Sequence, residues 1–162
     1  MRFLAWALLV CTSVMLIACP VPDFEIDPGL NSPIEIDDEL VTPPEGVLSA
    51  TRTSPSVPVE FYIENALSDA DGDRLYTFWY VDYDPGELGL WDASETFEFT
   101  FDPCTHPKAG FDTAESVLVE AIIMDRPPSG FDAAGARETT VDGDLVRLFW
   151  VIDIAEGNAC AF

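Results

Sequence analysis

Hydrophobic and polar residues alternate with a period of two over much of the chain. Val57, Val59, Phe61 and Ile63 alternate with Pro58, Glu60, Tyr62 and Glu64, the pattern of a strand with one buried face. Pro58 lacks a backbone N–H and places this strand at a sheet edge. Leu75–Val81 (LYTFWYV) predicts a second strand, and Phe97, Phe99 and Phe101, alternating with Glu98 and Thr100, a third. Val117–Met124, apolar on both faces except at Glu120, predicts a fourth. Leu145–Ile154 predicts a fifth, with Leu148, Trp150, Ile152 and Ile154 on one face and Arg147, Phe149, Val151 and Asp153 on the other. Turn-forming clusters lie between these runs: Asp69–Asp73 (DADGD), Asp84-Pro85-Gly86, Pro127-Pro128-Ser129-Gly130 and Asp142-Gly143-Asp144. No stretch has a helical period with caps, and Phe131–Glu138 offers at most a turn. Short strands with turns at this spacing predict an all-β fold, an antiparallel β-sandwich over residues 46–162.

The first 45 residues follow different rules. Pro20, Pro22, Pro28, Pro33, Pro43 and Pro44 interrupt regular structure, and Asp23, Glu25, Asp27, Glu35, Asp37, Asp38 and Glu39 repel one another, which predicts an extended linker over residues 19–45. Within it Ile34-Glu35-Ile36 suits a short edge strand. Before it, Met1-Arg2 is a short basic start, and Phe3–Ala18 is apolar except for Thr12 and Ser13. That run is shorter than the roughly 20 residues of a membrane span and suits the h-region of a secretory signal over residues 1–18. It ends Leu16-Ile17-Ala18-Cys19, which resembles the lipobox of bacterial lipoproteins. The resemblance implies cleavage before Cys19, diacylglycerol on its sulfur and an acyl chain on its new amine. An ordinary cleaved signal and an uncleaved anchor helix are the other two readings of the same segment. Two or more acyl chains on Cys19 give stable membrane attachment where one alone is weak and reversible.

Charge narrows the partners. The chain carries 30 Asp and Glu against 7 Lys and Arg, a net charge of −23, and cleavage would remove Arg2 as well. Binding phosphate needs Lys and Arg, so nucleic acid and anionic lipid surfaces are disfavoured. Solubility, cation binding and basic partners are favoured. Aromatic residues at 12% and apolar residues at 48% argue against wholesale disorder. Of the four cysteines, Cys11 lies in the h-region and Cys19 in the lipobox. Cys104 and Cys160 are left as a pair, expected to form a disulfide in an oxidising compartment.

Residues Ser68–Trp79 (SDADGDRLYTFW) resemble the Asp-rich turn, strand and buried Trp of PKD-like and related immunoglobulin-like extracellular domains. Val119–Pro128 (VEAIIMDRPP) is similar to their penultimate strand, and Leu145–Ile154 to their last. The resemblance covers roughly residues 46–157. After Val81 the usual Gly-Asp-Gly turn is replaced by Asp82-Tyr83-Asp84-Pro85-Gly86, and the Cys104/Cys160 pair is an addition. The resemblance implies an immunoglobulin-like sandwich serving as an extracellular binding or spacer module; a fold alone fixes no function.

Three groups of residues carry candidate chemistry. Asp69, Asp71 and Asp73 surround Gly72, where a reversing turn can bring carboxylates together. Ca²⁺ takes about six to eight oxygens, and Asp125, or Asp82 and Asp84, are the further donors. The spacing departs from an EF-hand loop, and a self-bonded Asp turn is the alternative. Tyr76, Phe78 and Tyr80 line one face of the second strand, opposite Leu75, Thr77, Trp79 and Val81. With Trp79 in the core, that aromatic face points outward towards a protein or glycan; the alternative is that neighbouring side chains cover it. His106, in Cys104-Thr105-His106-Pro107, pairs on paper with Cys104 and Cys160 as a zinc site, but a fourth ligand is missing and the disulfide competes for both thiols. No nucleophile motif accompanies His106. A small carboxylate-dependent hydrolase is the remaining enzymatic reading, against which the chain is read as non-catalytic. The functional expectation is a monomeric lipoprotein of the bacterial cell envelope, on the outer membrane, attached to the bilayer through acylated Cys19. It binds an envelope protein or glycan or acts as a spacer; the alternative is an accessory subunit that docks by its aromatic face or a sheet edge.

Overall fold

The computed structural model describes residues 31–84, 90–94, 97–109, 114–130, 137–140, 142–157 and 160. The signal segment, Cys19 and residues 20–30 lie outside the described residues. The fold is built of strands: β1 (Glu35–Ile36), β2 (Gly46–Thr51), β3 (Val59–Tyr62), β4 (Leu67–Ser68), β5 (Tyr76–Val81), β6 (Leu90–Ser94), β7 (Glu98–Phe101), β8 (Ser116–Met124) and β9 (Leu145–Ala155). Single 3-10 turns at Glu64–Ala66 and Pro107–Ala109 are the helical elements among the described residues. This bears out the all-β class.

Five strands form one sheet in the order β2-β9-β8-β5-β6, while β3 pairs with β7 and β1 with β4. Every pairing is antiparallel except β2 with β9, which run parallel from Gly46 opposite Trp150 to Thr51 opposite Ala155. The expectation of a purely antiparallel sheet is corrected there. Strand β2 reads GVLSAT, and only Leu48 and Ala50 turn towards the core; so short and small an inward set gave no strand signal.

The inner face of the five-stranded sheet packs on β3–β7. Trp79 of β5 and Trp150 of β9, both fully buried, meet Phe61 of β3 at ring-centroid distances of 5.7 and 4.9 Å, and Phe99 of β7 stacks on Trp79 at 5.2 Å. Around these rings gather Ile63, Val81, Phe101, Val119, Ala121, Ile123, Leu148 and Ile152. In β9 the residues Leu148, Trp150, Ile152 and Ile154 are buried and those between them exposed, as the alternation predicts.

The linker boundary moves. Ile34 and Val41 are buried in the main core, β1 pairs with β4, and the Trp150 Nε1–H donates to the Pro43 carbonyl at 2.9 Å. The folded unit therefore includes residues 31–45, which composition assigned to an extended linker. Prolines and acids dominate that stretch, but two apolar anchors are enough to fix it when its polar groups find partners.

Candidate functional site

The turn between β4 and β5 brings Asp69, Asp71 and Asp73 together, with one carboxylate oxygen from each within 4.8 Å of the others. Local chemistry shapes it. Asp69 Oδ1 accepts the backbone N–H of Asp71 at 3.1 Å and of Gly72 at 3.2 Å, an Asx turn. Gly72 completes the reversal at φ +77°, a conformation that a side chain would strain.

The carboxylates also have distant partners. Asp71 Oδ2 accepts the Ser32 N–H at 2.9 Å. Asp73 is ion-paired with the Arg126 guanidinium, which also donates to Asn31 Oδ1 at 2.8 Å. Asn31 Nδ2 in turn donates to Asp125 Oδ2 at 2.7 Å. Asp125 Oδ1 accepts the Asp144 N–H, and Asp144 Oδ2 accepts the Ile34 N–H, each at 2.8 Å. The acidic turn is therefore one end of a network that clamps residues 31–34 onto the domain.

Electrostatics distinguish the three acids. Burial raises the Asp69 carboxyl above its usual range, and the facing Asp71 carboxyl adds to this. Asp71 is lowered, first by its hydrogen bond with Asp69 and then by the Ser32 N–H. Asp69 Oδ2 meets no hydrogen-bond donor among the described residues. Two facing carboxyl groups need a shared proton or a cation between them. Arg126, raised by its hydrogen bond with Asp73, supplies positive charge on one side.

The other proposed donors separate. Asp125 is buried and uses both oxygens on Asn31 and Asp144. Asp82 lies beyond the opposite end of β5, where its Oδ1 accepts the Leu118 N–H at 2.7 Å, and Asp84 follows it. The sequence did not point to Arg126 and Asn31 as neighbours of the turn, because they lie 53 residues after Asp73 and 94 before Asp125.

The aromatic face is closed at one end. Tyr80 is fully buried, in a cluster with Ile122 and Met124 against which Phe78, Tyr83 and Leu145 pack. Arg137 lies over the Tyr80 ring at 4.8 Å. Burial first, and the Glu120 carboxylate later, push the Tyr80 phenol up to about 12, although Arg137 opposes the rise. Tyr80 is thus removed from the expected contact face, while Tyr76 and Phe78 stay half-buried, with the Arg74 guanidinium 5.6 Å from the centre of the Tyr76 ring.

Cys104 and Cys160 form a disulfide with Cα atoms 5.4 Å apart. This takes both thiolates from the zinc alternative at His106, whose Nδ1 accepts the Lys108 N–H at 3.2 Å. A depression of about 300 Å³ is lined by Glu64, Leu67, Arg74, Leu75 and Phe97.

No family model, curated protein or solved structure matches the chain.

Proposed function

We propose that this chain is a lipid-anchored, non-catalytic binding or structural module of a bacterial cell envelope, an immunoglobulin-like sandwich held to the membrane through acylated Cys19. The observation that carries the reading is the apolar segment ending Leu16-Ile17-Ala18-Cys19. The Cys104–Cys160 disulfide supports it, because such bonds persist in oxidising compartments. The two-layer packing of Trp79 against Phe61 and Phe99 supports the immunoglobulin-like form. With residues 31–34 clamped by the acidic turn, the tether is shorter than composition suggests. The 12 steps from Cys19 to Asn31 reach at most about 40 Å, which keeps the domain close to the bilayer.

Expression of the full chain in a bacterium tests the anchor. The wild type is expected to fractionate with membranes and to carry acyl groups on Cys19 by mass spectrometry. Cys19→Ser is expected to lose the acyl mass and leave the membrane fraction. An unlabelled wild type in the soluble fraction overturns the lipoprotein reading.

The same reading includes Ca²⁺ at Asp69, Asp71 and Asp73, where the tether joins the domain. A cation binding only the folded state stabilises it by about 2.7 kcal/mol when free metal is roughly a hundredfold above Kd. Thermal unfolding with millimolar Ca²⁺ is expected to shift up by several degrees, to respond less to Mg²⁺, and to lose the shift in Asp71→Ala. The raised Asp69 group favours the fold below its unfolded pKa, a contribution lost as pH rises through the folded value. Ca²⁺ competes with that proton, so the Ca²⁺ shift is expected to grow with pH across the carboxylate range. An identical Tm with and without Ca²⁺ removes the metal from the proposal and leaves the turn as a clamp.

A further inference from the structure

Glu120 is the one acidic residue of β8, and it is 2% exposed although it points to the outer face of the sheet. In register it lies between Tyr80 of β5 and Phe149 of β9. Arg137, between β8 and β9 in the chain, fills the space above it. One guanidinium nitrogen donates to Glu120 Oε1 at 2.7 Å and the other is paired with Oε2. The same guanidinium lies 3.8 Å from the Tyr83 ring centre and 4.8 Å from that of Tyr80, and the two rings meet edge to face. A two-pronged carboxylate with two aromatic faces is the recognition chemistry of a planar cation.

The surroundings divide the outer face in two. On one side Tyr80, Ile122 and Met124 are fully covered. On the other, Val47, Leu118, Phe149 and Val151 are 69, 39, 42 and 37% exposed. Val47 and Leu118 flank Val151 directly across the strands, and Phe149 lies beside Glu120. Four exposed apolar side chains adjacent on one sheet face offer a surface on which a partner's apolar residues can pack. Its occupant must bring positive charge, because a chain of net charge −23 repels a second copy of itself and attracts basic surfaces.

We propose that Glu120, Tyr80 and Tyr83 form an arginine-recognition pocket that Arg137 fills in cis, and that this pocket and the row Val47–Val151–Leu118–Phe149 dock an arginine-bearing apolar segment of a basic partner protein. The partner's guanidinium takes the place of Arg137 and its apolar residues cover the row. This rests on the binding-module reading and gives it a partner class. The pocket is tested on the purified chain, independently of Cys19, so failure here and failure of the anchor are separate results.

Arg137→Met empties the pocket while keeping an apolar stem. Millimolar ethylguanidinium is expected to raise the Tm of Arg137→Met, and to leave unchanged both the wild type and the neutral pair Glu120→Gln/Arg137→Met. If Arg137→Met does not fold alone, ethylguanidinium is expected to restore its near-UV circular dichroism. A peptide with a central arginine flanked by valine and leucine is expected to bind Arg137→Met at least about tenfold more tightly than the wild type, and to lose at least about tenfold when the arginine is replaced by citrulline. Absence of any ethylguanidinium effect on Arg137→Met overturns the pocket. Ethylguanidinium rescue without peptide binding, or a citrulline peptide that binds equally well, overturns the docking proposal and leaves Arg137 a structural pin.

Discussion

Replacing both Cys104 and Cys160 with serine is expected to lower the unfolding free energy by about 4 kcal/mol. The bridge spans 56 residues, and a loop of that length restricts the unfolded chain strongly in the chain-entropy account. The folded state gives the bond something to hold. Cys104 follows β7, and its N–H donates to Asp102 Oδ1 at 2.8 Å. Burial works to raise Asp102, but hydrogen bonds from Ser56, Cys104 and Thr105 leave it below its usual value. The stability Asp102 contributes is present above its unfolded pKa and lost as pH falls through the lowered folded one, so the serine variant, starting from a smaller margin, should reach its acid midpoint at a higher pH than the wild type. Cys160 carries the chain that leaves β9, so the bridge fastens the end of the five-stranded sheet to the end of the β3–β7 layer. Urea unfolding of the oxidised wild type and the double serine variant measures the difference as a shift in midpoint. Equal midpoints would show that packing alone holds the two layers. A loss near the expected size means that reducing the bond removes a large share of a typical domain's margin.

The parts of this fold legible in sequence are those where one strand face contrasts with the other. In β9, Leu148, Trp150, Ile152 and Ile154 point inward and Arg147, Phe149, Val151 and Asp153 outward. In β5, Thr77, Trp79 and Val81 join the main core as the alternation implies. Strands without that contrast stayed hidden. Strand β2 places only Leu48 and Ala50 inward, and its parallel register with β9 is set by the partner rather than by its own residues. Strand β6, LWDAS, has no period of two to read.

Composition misled over residues 31–45 for a related reason. A linker is recognised by averages, while folding is decided by single anchors. Ile34 and Val41 are buried, and Asn31, Ser32 and Ile34 give their polar groups to Asp125, Asp71 and Asp144. The acidic turn shows the same division within one site. Its Asx geometry is local and follows from DADGD, whereas its Arg126 counter-ion depends on tertiary structure. Glu120 did leave a trace. A lone carboxylate in an otherwise apolar strand must find a partner or pay for desolvation, although that Arg137 supplies it is a fact of tertiary structure.

Phe61→Ala is expected to cost about 3–5 kcal/mol. Phe61 is fully buried and touches Trp150 edge-on at 4.9 Å, Trp79 at 5.7 Å and Phe99 at 5.9 Å. It is the ring of the β3–β7 layer in contact with both buried tryptophans of the larger sheet. Removing it takes away buried apolar area, leaves a cavity between the layers, and breaks aromatic pairs each worth about 0.5–1.5 kcal/mol beyond their area. Phe61→Leu fills most of the space and should lose much less, which separates the cavity from any change in β3 itself. Urea unfolding with an unchanged slope, alongside tryptophan fluorescence of the folded form, measures both effects. A loss below about 1 kcal/mol would be too small for a core ring and would mean that the two layers do not share this contact. The position also isolates the candidate surfaces from the core. Phe61 faces inward, while Glu120, Tyr80 and the row Val47–Val151–Leu118–Phe149 occupy the opposite side of the sheet. At temperatures where Phe61→Ala/Arg137→Met remains folded, the ethylguanidinium and peptide effects at Glu120 should therefore persist. Their loss in a folded variant would show that the outer face depends on the packing beneath it and not on its own side chains alone.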